Sequence, residues 1–216
     1  MTYYVIDFDS TFTKTEALDE LAKIVQGKEG TEIAEKIKRI TEMAMEGKIG
    51  FGEALEERIK ILGAHKKHLL PLIELLRSLV SDSLVQQKEF IRQNAHRIII
   101  ISGGFKDFIL PVVTEYGILP ENVYANTFLY DEEGNIIGVD KTNPLSQTKG
   151  KVKLIEQLRL KGKVCVVGDG YTDYEIKEAG LADIFCAFTE NVIRPQVVAK
   201  ADIVADSFEK VFQLCE

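Results

Sequence analysis

Tyr3-Tyr4-Val5-Ile6-Asp7-Phe8-Asp9-Ser10-Thr11 sets an apolar run directly before two carboxylates placed two positions apart. The run reads as a strand buried on both faces. Asp7 is then its last residue and Asp9 the second residue of the following loop, so both leave the sheet at one rim. In an open parallel sheet, the rim at the carboxyl ends of the strands is where ligands bind, and a carboxylate pair there can serve as nucleophile and proton donor to a phosphate. Asp and Ser are also common wherever a strand simply turns, so the pair alone leaves a solvated turn open. A calcium loop does not fit, because Phe12 stands where its Gly belongs and Leu18 where its Glu belongs.

Two further runs end in the same manner. Arg97-Ile98-Ile99-Ile100-Ile101 stops at Ser102-Gly103-Gly104, and Lys163-Val164-Cys165-Val166-Val167 stops at Gly168-Asp169-Gly170-Tyr171-Thr172-Asp173. Between them, Gln147-Thr148-Lys149-Gly150-Lys151-Val152-Lys153 opens a helix through Leu154, Ile155 and Leu158. Elsewhere after Arg97 the pattern predicts a helix over 106–116, a short strand near Val123 and a hairpin pairing 128–130 with 136–139. A helix over 172–179, strands over 184–187 and 203–205 and a last helix follow. This alternation predicts right-handed βαβ units, hence an α/β fold whose core is a Rossmann-like, doubly wound parallel sheet.

From Thr15 to Ser81 the texture changes. Leu18, Leu21, Ala22 and Val25, then Ile33, Ile37 and Ile40, then Leu69, Leu72, Ile73, Leu76 and Leu79 recur at helical spacing, with breaks at Gly27, Gly30, Gly47, Gly50, Gly52 and Gly63. An ordinary crossover takes about a dozen or more residues around one helix, so this block reads as an insertion. The expected organisation is a catalytic core over 1–14 and 82–216 and a helical cap domain over 15–81.

The chain has 216 residues, 45% of them apolar, enough for a substantial core. A net charge of −7 and the lack of a basic stripe with interleaved aromatics argue against nucleic acid as a partner. No apolar run approaches membrane-spanning length and no leader-like segment opens the chain, so a cytoplasmic protein with no membrane partner is expected, as monomer or homodimer. Cys165, Cys186 and Cys215 form no Cys-x-x-Cys pair and read as reduced structural thiols. His65-x-x-His68 lacks the Glu of a zinc-protease helix and reads as a solvated turn.

The four polar segments, in this order, resemble the haloacid dehalogenase superfamily: Asp7-x-Asp9-x-Thr11, Ser102, a lysine, and Gly168-Asp169-Gly170-x-x-Asp173. Within it the chain is similar to the phosphoserine phosphatase family, also through Thr15-Glu16-Ala17-Leu18-Asp19-Glu20-Leu21, Met45-Glu46-Gly47-Lys48, Phe51 and Gly104-Phe105. The resemblance implies a Mg²⁺-dependent phosphomonoesterase acting on a small-molecule substrate, O-phospho-L-serine. Asp7 is then the nucleophile that becomes an aspartyl-phosphate and Asp9 the proton donor and base. Asp7, Asp169 and the Asp9 carbonyl would hold the metal, with Asp173 one shell out, and Ser102 and the Gly103 N–H would hold phosphoryl oxygens. Lys149 is the expected phosphate-facing lysine, although Lys151 and Lys153 lie close by and the choice rests on the resemblance alone.

For the cap, the resemblance implies that Glu16 meets the substrate's amino group, that Arg58 takes its carboxylate, and that Met45 and Phe51 close over the site. Each has a plainer reading beside it. Thr13-x-x-Glu16 has the form of a capping box, Arg58 can lay its stem over the cap core, Met45 and Phe51 can be core packing, and Asp173 can be a helix-starting carboxylate. Thr172 departs from the pattern, since many relatives carry Asn there; its hydroxyl can still donate to a phosphate. Another small phosphomonoester as substrate, or a phospho-accepting signalling module, are the alternatives.

Overall fold

The computed structural model describes residues 1–27 and 31–216; Gly30, expected as a helix break, lies outside them. Six strands, β1 (Thr2–Ile6), β2 (Ile98–Phe105), β3 (Val123–Asn126), β6 (Lys163–Gly168), β7 (Ile184–Phe188) and β8 (Ile203–Ala205), form one sheet in the order β3-β2-β1-β6-β7-β8, with every pairing parallel. A short hairpin, β4 (Phe128–Tyr130) and β5 (Ile136–Val139), stands apart. The chain order runs outward from β1 in one direction and from β6 in the other, so the reversal falls between β1 and β6. The loops after these two strands diverge to opposite faces and leave a crevice at their carboxyl ends.

The β-branched runs explain this sheet. Alternate residues point to opposite faces: Tyr4, Ile6, Ile98, Ile100, Cys165, Val167 and Cys186 pack into one apolar cluster, and Val5, Ile99, Ile101, Val164, Val166 and Phe185 into another. All three cysteines are buried free thiols. Between β1 and β2 run α1 (Ala17–Gln26), α2 (Thr31–Met45), α3 (Phe51–Leu62), α4 (Leu69–Ser78), α5 (Asp82–Gln86) and α6 (Lys88–Gln93); α7 (Lys106–Val113), α8 (Gly150–Leu158), α9 (Tyr171–Glu178), α10 (Pro195–Val198) and α11 (Phe208–Leu214) complete the layers. The first cluster continues into the inserted helices through Leu21, Leu55, Leu72 and Leu76, all fully buried.

Two local expectations fail. The capping box does not form: Thr13 Oγ1 lies 3.2 Å from both the Phe8 and the Thr15 carbonyls and donates its one proton between them, Glu16 makes no side-chain cap, and the first N–H of α1, that of Ala17, is taken instead by Asp9 Oδ1 at 2.7 Å. A carboxylate already at the strand tip outcompetes the local one because the helix end is folded back onto it. His65 and His68 are half-buried, not solvated, and hold a turn: the Lys67 N–H donates to His65 Nδ1 and the His65 N–H to His68 Nδ1, while Lys66 N–H reaches the Gly134 carbonyl of the hairpin.

The two ends of the segment that carries α1 to α4 are stitched together. Thr13 bridges Val80, Ser81 N–H donates to the Phe12 carbonyl at 3.0 Å, and Ser81 Oγ donates to the Thr11 carbonyl at 2.6 Å. Asn191, from the loop after β7, closes the knot: its Nδ2 lies 2.7 Å from Ser81 Oγ and 3.1 Å from the Ser10 carbonyl. Removing that amide leaves carbonyl oxygens of a largely buried loop short of a donor. Asn191→Ala should therefore cost about 1–3 kcal/mol, lowering the melting temperature by roughly 3–10 °C for a chain of this size; a thermal melt followed by circular dichroism checks it.

Candidate functional site

The site grows from the tips of β1 and β6. Asp7 continues the β1 ladder by donating its N–H to the Val167 carbonyl, and its Oδ1 accepts the N–H of Phe8 at 2.7 Å. Ser10 takes φ of +53°, which turns the loop back over the strand end. Thr11 Oγ1 then donates to Asp169 Oδ1 at 3.1 Å, tying the β1 loop to the β6 loop. Asp173, in the first turn of α9, accepts the Gly170 N–H at Oδ2; a Cβ at Gly168 would overlap the Asp173 carboxyl, which is why that position needs glycine.

The lysine among these carboxylates is Lys151, not Lys149. Lys151 Nζ lies 2.8 Å from Asp7 Oδ2 and 2.7 Å from Asp173 Oδ1, with the side chain only 7% exposed. Lys149 is exposed, sits just before α8 at φ of +57°, and borders an outer crevice with Gly47, Tyr171 and Glu175 and a small one beside Gly103 and Lys151, but does not line the cavity over Asp7. The reason is helical phase: α8 begins at Gly150, and Lys151, Leu154 and Ile155 share its buried face. Gly150 itself is pressed against the Pro144 carbonyl, with no space for a Cβ. The three- and four-residue spacing from Lys151 to those two apolar residues was a signal present in the sequence.

A small cavity of about 20 Å³ lies over Asp7, walled by Asp9, Glu16, Leu18, Met45, Phe51, Arg58, Gly103, Gly104, Lys151 and Thr172. Most of the residues singled out in the sequence thus meet in one place. Ser102 is fully buried beside it, its Oγ accepting the Gly104 N–H at 2.9 Å, and Asn126 Nδ2 fixes the Gly103 carbonyl at 2.8 Å. A Cβ on Gly103 would collide with the Phe51 ring. Met45 is buried as well, so packing and cavity lining are the same contact for these two side chains.

Glu16 Oε1 accepts the Ser10 hydroxyl at 2.7 Å and lies 3.7 Å from Arg194 Nη2. Arg194, in the loop before α10, also donates from Nε to Asp169 Oδ2 at 2.9 Å. Neither Arg194 nor Asn191 was singled out in the sequence: they follow β7, a strand with no Gly-rich tip, and only the fold brings that loop beside the β1 loop. Arg58 is 4% exposed; its Nε and Nη1 are bound to α3 and α2, and its guanidinium stands 5.9 Å from the Phe51 ring centroid.

Five carboxylates, Asp7, Asp9, Glu16, Asp169 and Asp173, share this region with three cations, Lys151, Arg58 and Arg194. Burial first, and the crowding of like charges second, show in the proton affinities. Burial, followed by the neighbouring Asp7 charge and opposed by the Ala17 N–H, pushes Asp9 up to about 7. Burial and Asp7 push Asp173 up to about 8. Burial together with Asp9 raises Glu16 well above the carboxylate range, and burial raises Asp169 despite Arg194. Burial alone would lower Lys151, but Asp173 and Asp7 hold it above its ordinary value. Asp7, Asp169 and Asp173 each offer an oxygen, all within 4.8 Å of one another. Buried, hard oxygen donors with uncompensated charge fit a small divalent cation.

Among the described residues, no helix is long and apolar enough to cross a membrane. The chain is 32% identical to the chloroplastic phosphoserine phosphatase of Arabidopsis thaliana, over 95% of its own length and 68% of that protein. It is 34% identical to the phosphoserine phosphatase of Drosophila melanogaster, over 95% and 74% of the two chains. The crystal structure of a phosphoserine phosphohydrolase-like protein from Francisella tularensis superposes with a TM-score of 0.90 at 28% identity, covering 100% of both chains. The profile of the haloacid dehalogenase-like hydrolases matches residues 4–177, a span that takes in Asp7, Ser102, Lys151 and Asp173, and the chain belongs to that family.

Proposed function

We propose that the protein is a Mg²⁺-dependent phosphomonoesterase that hydrolyses O-phospho-L-serine to L-serine and phosphate, the last step of serine biosynthesis. The observation that carries this reading is the content of one small cavity: the Asp7–Asp9 pair on its floor, with an anion, Glu16, and a cation, Arg58, on its walls. A phosphomonoester bearing an ammonium and a carboxylate complements that set. The relatives carrying the phosphoserine phosphatase name support it, and residues 15–81 act in it as the cap that encloses the substrate.

The chemistry follows from the geometry. An Asp7 carboxylate oxygen attacks phosphorus as the ester P–O bond breaks, splitting one difficult displacement into two. Asp9, whose raised proton affinity lets it carry a proton near neutrality, gives that proton to the departing serine oxygen. The Asp9 carboxylate then takes a proton from water as its oxygen attacks phosphorus, and the bond to Asp7 breaks to release phosphate. Lys151 and the Gly103 N–H face the phosphoryl oxygens, with Thr172 at the rim. Mg²⁺, held by Asp7 and Asp169 together with Asp173 or the Asp9 carbonyl, supplies charge neutralisation at those oxygens when bound.

Phosphate release from L-phosphoserine, phosphoethanolamine and p-nitrophenyl phosphate should be fastest for L-phosphoserine and should stop on chelation of divalent metal, returning with added Mg²⁺. Turnover that survives a chelator would refute the metal assignment. Asp7→Asn should abolish multiple turnover, whereas Asp9→Asn should lower it by roughly 10²–10⁴ while Mg²⁺ binding, read by calorimetry, persists through the backbone carbonyl. The two lysines separate cleanly: Lys151→Ala should cost at least about 10² in kcat, and Lys149→Ala should stay within about threefold of wild type. Steady-state kinetics, with circular dichroism to confirm folding, decides between them.

A further inference from the structure

A buried chain of hydrogen bonds stands behind Arg58. Its Nη1 donates to Thr41 Oγ1 at 3.2 Å, and the Thr41 hydroxyl lies 2.9 Å from Asp19 Oδ1 and 3.1 Å from the Ile37 carbonyl. Each link comes from a different helix, Arg58 from α3, Thr41 from α2 and Asp19 from α1, and all three side chains are buried. A threonine hydroxyl has a single proton. While it accepts from Arg58 it can donate to one partner, and both the shorter distance and the carboxylate charge favour Asp19 over Ile37. The donors then run in one direction, from guanidinium to hydroxyl to carboxylate, and each bond polarises the next.

Among the described residues, no carboxylate is directly ion-paired with Arg58. Asp19 stands one hydroxyl away. Direct contact between the two would neutralise the guanidinium; with Thr41 between them, Asp19 offsets part of the cost of burying the cation while leaving its charge available to the cavity that Arg58 lines. On the opposite side, Nε lies 3.3 Å from the Ala54 carbonyl, which fixes the plane of the group.

We propose that Thr41 and Asp19 are positioning residues that aim Arg58 at the substrate carboxylate, Thr41 acting as the spacer that keeps Asp19 from quenching it. The proposal rests on the phosphoserine reading above. It ties carboxylate recognition to the packing of three helices, so that specificity resides in a threonine that touches no substrate.

The test is steady-state kinetics on L-phosphoserine and on phosphoethanolamine, which keeps the amine and lacks the carboxylate. Thr41→Val, which removes the hydroxyl at nearly constant volume, should raise KM for L-phosphoserine about tenfold, the scale of one hydrogen bond to a charged group. Its kcat should stay within about threefold, and kcat/KM for phosphoethanolamine should not move. Thr41→Ser, retaining the hydroxyl, should remain within about threefold of wild type on both. Equal losses on the two substrates, an unchanged KM in Thr41→Val, or a Thr41→Ser variant as impaired as Thr41→Val would overturn the proposal. Should Thr41→Val fail to fold, Asp19→Asn keeps an acceptor and loses the charge; a KM rise confined to L-phosphoserine supports the relay and equal losses overturn it. A wild-type protein that handles L-phosphoserine no better than phosphoethanolamine would sink the substrate reading itself, which the variants do not address.

Discussion

Lys151 between Asp7 and Asp173 is the contact on which the arrangement of this site depends. Two carboxylates, Asp7 at the tip of β1 and Asp173 in the first turn of α9 after the neighbouring strand β6, are held by one ammonium at 2.8 and 2.7 Å. Burying a charge without a partner is expensive, and breaking one half of such a pair commonly costs about 3–5 kcal/mol. The ion triad therefore fixes where α8 and α9 can lie relative to the sheet rim. It also leaves the region with more anions than cations, an imbalance suited to a divalent cation.

The same rim is closed from above by packing rather than by charge. Gly103 admits the Phe51 ring, Met45 lines the same cavity, and the space that remains is about 20 Å³. The helices that supply this roof, α1 to α4, lie between Thr13 and Ser81, two points joined directly and through Asn191. The roof is thereby anchored within a few residues of Asp7 and Asp9. Small changes in the inserted helices reach the cavity over Asp7 by a short path, and the hydrogen-bonded line from Asp19 through Thr41 to Arg58 is one such path.

Much of this was legible in the chain. β-branched runs predicted β1, β2 and β6, and the tips of β1 and β6 do carry Asp7 and Asp169, whereas β2 continues through Ser102, Gly103 and Gly104 to Phe105 instead of stopping at a turn there. The helical spacing of apolar residues between Thr15 and Ser81 matched α1, α2 and α4, although Gly52, expected as a break, lies inside α3, and the hairpin from Phe128 to Val139 formed at the predicted residues. These features are local: a strand's burial and a helix's apolar face are written in periodicities of two and 3.6 residues.

What the sequence did not determine are the contacts in which distant segments compete for the same partner. Thr13 and Glu16 have the pattern of a capping box, yet Asp9 takes the Ala17 N–H because the loop folds the helix start onto the strand tip. Lys149 fits a motif by position, yet the phase of α8 turns Lys151 inward. Arg194 and Asn191 carry no local signal at all and become part of the site because β7 lies next to β6, which brings their loop beside the loops of β1 and β6. The chain by itself determined which chemical groups stand at the strand tips, through local periodicity. Only the tertiary structure decided which lysine and which arginine answer them, because charges buried together are paired by distance in space, and sequence order does not set that distance.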